Sequence, residues 1–246
     1  KLTRNIKVGF TFNGYRAELP QNRDVAGAIR AAPIGPVKDA ETGLYYTLPF
    51  FQRAQVYNPM VFIEGQKGTL ISREYRAVGS IYGEVDFLKH FNFRVQLYED
   101  YGFNTSRSYQ PILVVFNPDK AGDDKRDTST ASTAVFQSQN IYPKTQMDYL
   151  LTFKQDFGEH HLSLLGGVTT YYSAFSGVST SVLQGTAMQI PYNPDKWYVN
   201  QVGDPTTLKA LPVQPWEDAT LSYLARALYN FQGKYLINAS FRRDRT

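Results

Sequence analysis

The chain has 246 residues, 42% hydrophobic, 15% aromatic and 20% charged, with a formal net charge of +4 and a pI near 9.0. The aromatic content excludes a charged disordered tail, and 18 Gly with 13 Pro exclude a collagen-like or low-complexity chain. With no Cys there is no disulfide framework, thiolate metal site or cysteine nucleophile; that lack suits an envelope protein crossing an oxidising space unfolded.

The remaining composition narrows the class further. Lys and Arg are interspersed with Asp and Glu, so no clustered footprint for nucleic acid is present. No apolar run is long enough for a transmembrane helix. A mean hydropathy of -0.38 fits a soluble protein, and equally one whose membrane-facing and wet residues alternate and cancel. The 18 Tyr and 16 Phe favour strands.

In chain order, the first segment alternates with period two. Leu2, Ile6, Val8, Phe10 and Phe12 share one parity against Thr3, Asn5, Lys7 and Thr11, and only Arg4 breaks the apolar side. The pattern returns over 71–85, where Ile71, Tyr75, Ala77, Ile81 and Val85 oppose Ser72, Glu74, Arg76, Ser80 and Glu84. Over 91–104, Phe91, Phe93, Val95, Leu97, Tyr101 and Phe103 oppose Asn92, Arg94, Gln96, Tyr98 and Asp100. Further strands are predicted over 146–154, 161–172, 220–231 and 235–244. Their polar parities carry Tyr171, Arg226 and Arg242 among others. Several segments alternate for about the 9–11 residues that a tilted strand needs to cross a bilayer.

The connections form a second pattern. Short turns are predicted at 86–90, 156–160 and 231–235, and long connections over 17–70, 105–144 and 173–217. Strict alternation of short and long connections is the arrangement of an outer-membrane barrel, with short periplasmic turns and longer extracellular loops. Each long connection holds an aromatic-Asn-Pro core, at Tyr57-Asn58-Pro59, Phe116-Asn117-Pro118 and Tyr192-Asn193-Pro194. Asn-Pro initiates turns. The aromatic rings Tyr57, Phe116 and Tyr192 are also candidates to line a ligand vestibule.

No catalytic signature is present: no nucleophile elbow, phosphate loop or dinucleotide fingerprint. His160 and His161 are adjacent, so they point to opposite faces of a strand and cannot form a two-ligand metal site. The acidic pair Asp123-Asp124 lacks calcium-loop spacing and reads as solvated surface. No cofactor is expected. The polar parity is the candidate for function, with Arg76, Arg94, Tyr98, Asp100, Tyr171, Arg226 and Arg242 facing a hydrated lumen, where they contact a plug or a passing solute.

The run Tyr235-Leu236-Ile237-Asn238-Ala239-Ser240-Phe241-Arg242-Arg243-Asp244 resembles a barrel segment of the SusC/RagA family of TonB-dependent outer-membrane transporters of Bacteroidetes. Leu221–Phe231, the stretch from Phe157-Gly158 to Gly166-Gly167, and Gly79-Ser80-Ile81-Tyr82-Gly83-Glu84 are similar to that family as well. After Asp244 the family usually continues with Gly and Ser, whereas here Arg245-Thr246 follow.

The resemblance implies a large antiparallel transmembrane barrel with a plug domain and a SusD-like surface lipoprotein as lid. It implies oligosaccharide or peptide uptake across the bacterial outer membrane, driven through TonB, with no enzymatic step. On this reading residues 1–246 are part of that barrel, about seven strands of it, with the plug and remaining strands outside this sequence. The rival expectations are a soluble carbohydrate-binding or glycoside-active β-sandwich, and a passive porin.

Overall fold

The computed structural model describes residues 5–20, 25–31, 36–47, 58–185 and 188–246. Leu2 and Arg4 of the first predicted strand, and the candidate Tyr57, lie outside the described residues. In chain order the elements are β1 (Ile6–Glu18), α1 (Val25–Arg30), α2 (Pro59–Gly65), β2 (Leu70–Phe87), β3 (Phe91–Gln110), β4 (Val114–Phe116), β5 (Arg126–Thr128), β6 (Ser132–Phe157), β7 (His160–Gly185), β8 (Asp204–Leu211), β9 (Trp216–Phe231) and β10 (Tyr235–Arg245). The fold is all-β and antiparallel, and among the described residues no helix is long and apolar enough to cross a membrane.

Seven long strands hydrogen-bond in the order β1-β2-β3-β6-β7-β9-β10. Each of the seven predicted strands is present. Strand β7 changes partner along its length: β9 pairs with it from His160 to Phe175, and β8 pairs with it over Ser179–Leu183. Strands β4 and β5 form a separate small hairpin.

The short turns join β2 to β3, β6 to β7, and β9 to β10. Gly158 at φ 63° opens the two-residue turn between paired Phe157 and His160, a backbone region that a side chain disfavours. All three short turns lie at one end of the sheet, because the strands of each hairpin pair directly from the turn upward.

At the other end the strands run further than alternation predicts. Both β6 and β7 have 26 residues, and β3 has 20. The predicted loops 105–144 and 173–217 therefore give up 105–110, 132–144, 173–185 and 216–217 to strands, and what lies between holds the β4–β5 hairpin in the first and β8 in the second. The cause is burial on both faces. Thr133, Ala134 and Val135 are all fully buried, so consecutive residues of β6 there carry no polar-apolar alternation. Pro143, which argues against a strand interior in sequence, lies inside β6; β3 pairs with it through Tyr101, while the β6–β7 ladder skips it.

Two layers cover this far end. One is the segment after β7, which places Ile190 and Trp197 against Tyr109, Val135 and Val182 to form the buried core. By register these three strand residues continue the parity that carries the apolar side chains lower down. The other layer joins the β1–β2 and β3–β6 connections. Thr47 N–H donates to the Phe116 carbonyl at 2.7 Å, and Phe116 N–H to the Tyr45 carbonyl at 2.9 Å.

The three Asn-Pro motifs share one device. Asn58, Asn117 and Asn193 each accept, through the side-chain oxygen, the backbone N–H two residues on, at 3.1, 3.2 and 3.0 Å. Asn58 thereby caps α2, and Asn193 caps a 3-10 turn at Pro194–Lys196. Asn58 is also buried and donates to the Val37 and Tyr46 carbonyls, tying 36–47 to α2.

Candidate functional site

Register fixes which side chains share a face. Arg76 opposes Gly102, Tyr98 opposes Gln146, Gln146 opposes Tyr171, and Tyr171 opposes Thr220. Arg226 opposes Ser240 on β10. With period two, this places Arg76, Arg94, Tyr98, Asp100, Tyr171, Arg226 and Arg242 on one face. The opposite face carries Val8, Phe10 and Phe12 of β1, Ile81 of β2, Leu151 of β6, and Ile237 and Phe241 of β10, all exposed.

The polar face is internally paired. Near the long-connection end, Arg76 Nε and Nη2 donate to Asp100 Oδ1 and Oδ2 at 2.7 and 2.6 Å. This is a bidentate fork, the strongest geometry for this pair. Asp100 is 5% exposed, so its charge depends on that partner. Glu74 lies 3.7 Å from Arg76 Nη1 and accepts the Tyr15 hydroxyl at 3.0 Å. Asp100→Ala is expected to lose about 2 kcal/mol, because it strands a half-buried guanidinium. Replacing both Arg76 and Asp100 with Leu should recover most of that loss. Urea unfolding of the three variants measures both values.

Toward the short turns a second cluster forms. Lys7 reaches Glu84 at 2.9 Å and Asp86 at 3.5 Å. Asn92 donates to Glu84 and Asp86 at 2.9 and 2.7 Å. Arg94 lies 3.9 Å from Glu84, donates to Gln96 at 2.8 Å, and places its guanidinium 4.2 Å over the Tyr82 ring. On β9 and β10, Arg242 donates to Asp244 at 2.7 Å and to Ser222 at 3.1 Å, while Ser222 donates to Asp244 at 2.5 Å. Arg226 donates to Asn238 at 3.2 Å.

The structure thus brings Arg76 and Asp100 together and places Arg94, Arg226 and Arg242 in separate local networks. Tyr98 and Tyr171 lie half-buried between them on the same face. Ser222, at 1% exposure the most enclosed polar residue of this face, is not marked by any sequence signal beyond its parity.

The polar face also holds leucines. Leu150 and Leu224 close over Gly167, and Leu228 and Leu236 line a cleft of about 400 Å³ with Lys154, Asp156 and His161. The wall is therefore charged along β1–β3 and partly apolar along β6–β10.

The loop aromatics have structural contacts. Phe116, in β4, lies against Tyr46 with ring centroids 4.9 Å apart. Tyr192 is exposed, meets Tyr109 and Trp197 edge-on at 5.7 and 5.5 Å, and donates to the Lys67 carbonyl at 3.3 Å. Trp197, fully buried and stacked on Tyr109 at 5.1 Å, is the aromatic anchor of this cluster, and it belongs to no sequence motif. Burial holds the Tyr109 phenol above its ordinary pKa. At the start of β8, the Thr206 hydroxyl and backbone N–H hold the Asp204 carboxyl below the usual range.

The histidines sit near the short turns. His161 lies 2.6 Å from Asp156, His160 is 2.6 Å from the Tyr229 hydroxyl, and His90 Nδ1 is 3.1 Å from the Lys154 carbonyl. Among the described residues no group of three or more His, Asp or Glu could hold a metal ion. The chemistry of this face is charge pairing and hydrogen bonding.

No protein-family model matches the sequence. No curated protein matches it either. Solved structures do match. The RagAB peptide transporter superposes over 100% of this chain and 26% of its own, with a TM-score of 0.67 at 16% identity. The RagAB peptide importer in its closed-closed state gives 0.64 at 17% identity over 100% of this chain and 26% of its own. The open-open state gives 0.64 at 16% identity over 98% and 26%. The chain spans about a quarter of the length of the solved chains it matches, and over that stretch it has their fold.

Proposed function

We propose that this chain is part of the barrel wall of a TonB-dependent nutrient importer of the SusC/RagA type, in the bacterial outer membrane. The observation that supports this most is the division of the sheet. Seven successive antiparallel strands expose an apolar parity on one face and pair their charges on the other, with every short turn at one end. In lipid, backbone groups must be satisfied between strands, and a barrel wall does this. The likeness to the RagAB chains agrees with it.

On this reading the apolar face meets outer-membrane lipid and the paired polar face meets the lumen and a plug. The strand extensions and their covering layers form the extracellular rim, where a SusD-like lipoprotein docks. The cargo is a peptide or an oligosaccharide. No bond is made or broken in transport, so the protein is not an enzyme, and it uses no cofactor. Coupling to TonB belongs to parts of such an importer beyond this wall.

The test uses the full-length gene product. It is expected in the outer-membrane fraction, extractable only with detergent, and cells should accumulate a labelled oligopeptide or oligosaccharide only with both it and TonB present. Recovery as a folded monomer in the aqueous fraction would overturn the proposal and favour the soluble sandwich. Uptake that persists without TonB would favour a passive porin.

A further inference from the structure

A row of aromatic rings crosses the middle of the sheet on the polar face. The register sets Tyr142 of β6 opposite Gly102 of β3, and Phe175 of β7 opposite Trp216 of β9. The Tyr142 and Phe175 centroids lie 5.3 Å apart, with their planes tilted by 33°. Both strands are interior to the sheet, with a hydrogen-bonded neighbour on each side. Adjacent strands stand about 4.8 Å apart, so the three rings make a shelf about 10 Å long. Its level is that of Arg76, which opposes Gly102 from the other side.

Two glycines shape this shelf. Gly102 gives Tyr142 no side chain opposite it on β3, and a Cβ there would stand 3.5 Å from the Tyr142 Cβ. Gly177, two residues beyond Phe175 on the same face, leaves the space that the Asn140 side chain crosses. The Asn140 amide is thereby set beside the Tyr142 and Phe175 rings, and Asn104 opposes it on β3. Tyr142 is 38% exposed although strands flank it on both sides, so its ring opens toward the lumen side. Tyr171 stands four residues below Phe175 on β7, and Tyr98 four below Gly102 on β3, so two further rings continue the lining.

The cations beside the shelf are matched within the wall. Arg76 forks onto Asp100, and Lys144 stands opposite Asp100 in the register. That arrangement disfavours a ligand carboxylate, whether of an acidic sugar or of a peptide C-terminus. What the shelf offers is ring faces bordered by neutral amides.

We infer that Tyr142, Phe175 and Trp216, with the Asn140 and Asn104 amides, form a stacking subsite for neutral sugar rings of the cargo. The C–H face of a pyranose packs on an aromatic ring, and the hydroxyls at its edge exchange hydrogen bonds with side-chain amides. Apolar rings with a few placed polar groups are the usual make-up of a small-molecule site. The inference rests on the importer reading above and narrows its cargo to a neutral oligosaccharide.

The test is calorimetric titration of the full-length protein, in a detergent without a sugar headgroup. The probes are neutral gluco-, xylo-, manno- and galacto-configured hexasaccharides, a hexagalacturonate and a neutral end-blocked hexapeptide. At least one neutral hexasaccharide is expected to bind the wild type, and to bind Tyr142→Ala and Phe175→Ala roughly tenfold more weakly each. Tyr142→Phe, which keeps the ring, should stay near the wild type. Tyr101→Ala, at the same level on the opposite face, should leave binding unchanged. If an Ala variant fails to fold, Phe175→Leu keeps the volume, loses the ring face and is expected to weaken binding in the same way. Binding of no neutral hexasaccharide overturns the inference, as does tighter binding of the hexagalacturonate or the peptide. Unchanged sugar binding in folded variants whose urea midpoint has fallen makes the row a packing contact and overturns it too. Fractionation of the same cells separates the two levels. A wild type in the outer membrane whose sugar binding ignores Tyr142 and Phe175 sinks only this inference, whereas a wild type absent from the outer membrane sinks the importer reading.

Discussion

Trp197→Ala is expected to lower stability by about 3–5 kcal/mol. Trp197 is fully buried, stacked on Tyr109 at an interplanar angle of 6°, and met edge-on by Tyr192. Its indole N–H donates to the Pro191 carbonyl at 3.2 Å. Removing the indole leaves a cavity between the segment after β7 and the extensions of β3, β6 and β7, while the Pro191 carbonyl keeps the Asn193 backbone N–H as donor at 2.8 Å. The loss should be local, because these contacts lie above the apolar band shared by the seven long strands. Limited proteolysis should cut the variant between Gly185 and Asp204 while the paired strands below stay protected. Trp197→Phe should restore most of the protection. Equal protease resistance in wild type and Trp197→Ala would show that the layer is held elsewhere.

The second large effect is a charge placed on the apolar face. Ala225 lies mid-strand on β9, opposite Gly166 and Phe241 on its two neighbours. In a bilayer, Ala225→Arg is expected to cost about 2–4 kcal/mol, the penalty for a cation near the midplane of a lipid-facing surface. Thr220→Arg, on the opposite parity of the same strand, should cost less than about 1 kcal/mol, because that side chain reaches water. Folding of the full-length protein into lipid vesicles, followed by urea titration, measures both. In a soluble sandwich the difference would vanish or reverse, since one of the two faces would then be a packed core.

The strands were legible where one face is apolar and the other polar. Over 71–85 and 91–104 the alternation alone assigns each side chain to its face, and the observed register agrees residue by residue. Legibility stopped where the environment became symmetric. Around Val135, cover on both faces removes the need for a polar parity, so the first part of β6 looks like loop in sequence. Strand β8 is short, and its eight residues include Pro205 and Lys209, which weaken any periodic signal.

For the site, parity placed the seven polar-face candidates together but could not choose partners among them. The Arg76–Asp100 fork needs the register of β2 against β3, which one sequence does not contain. The leucines over Gly167 were missed for a similar reason: Leu150 and Leu224 sit on the polar parity, and apolar residues on both parities look like noise until the faces are known. The Asn-Pro turns were read correctly as turns because their mechanism is local. The buried role of Trp197 was invisible because its partners are distant in sequence.

The central claim is that the two parities of one strand meet two different solvents. The chain contains no Cys, so introduced thiols report their own positions in this segment. Single Cys residues placed along β9 at Tyr223, Leu224, Ala225, Arg226, Ala227 and Leu228 of the full-length protein, in native membranes, test it directly. The account predicts an alternating result: fluorophores at 223, 225 and 227 are quenched by a lipid-soluble quencher, and thiols at 224, 226 and 228 react with a membrane-impermeant maleimide once the outer membrane is opened. Uniform reaction of both parities with the aqueous reagent, or no quenching from lipid at 225, would contradict it.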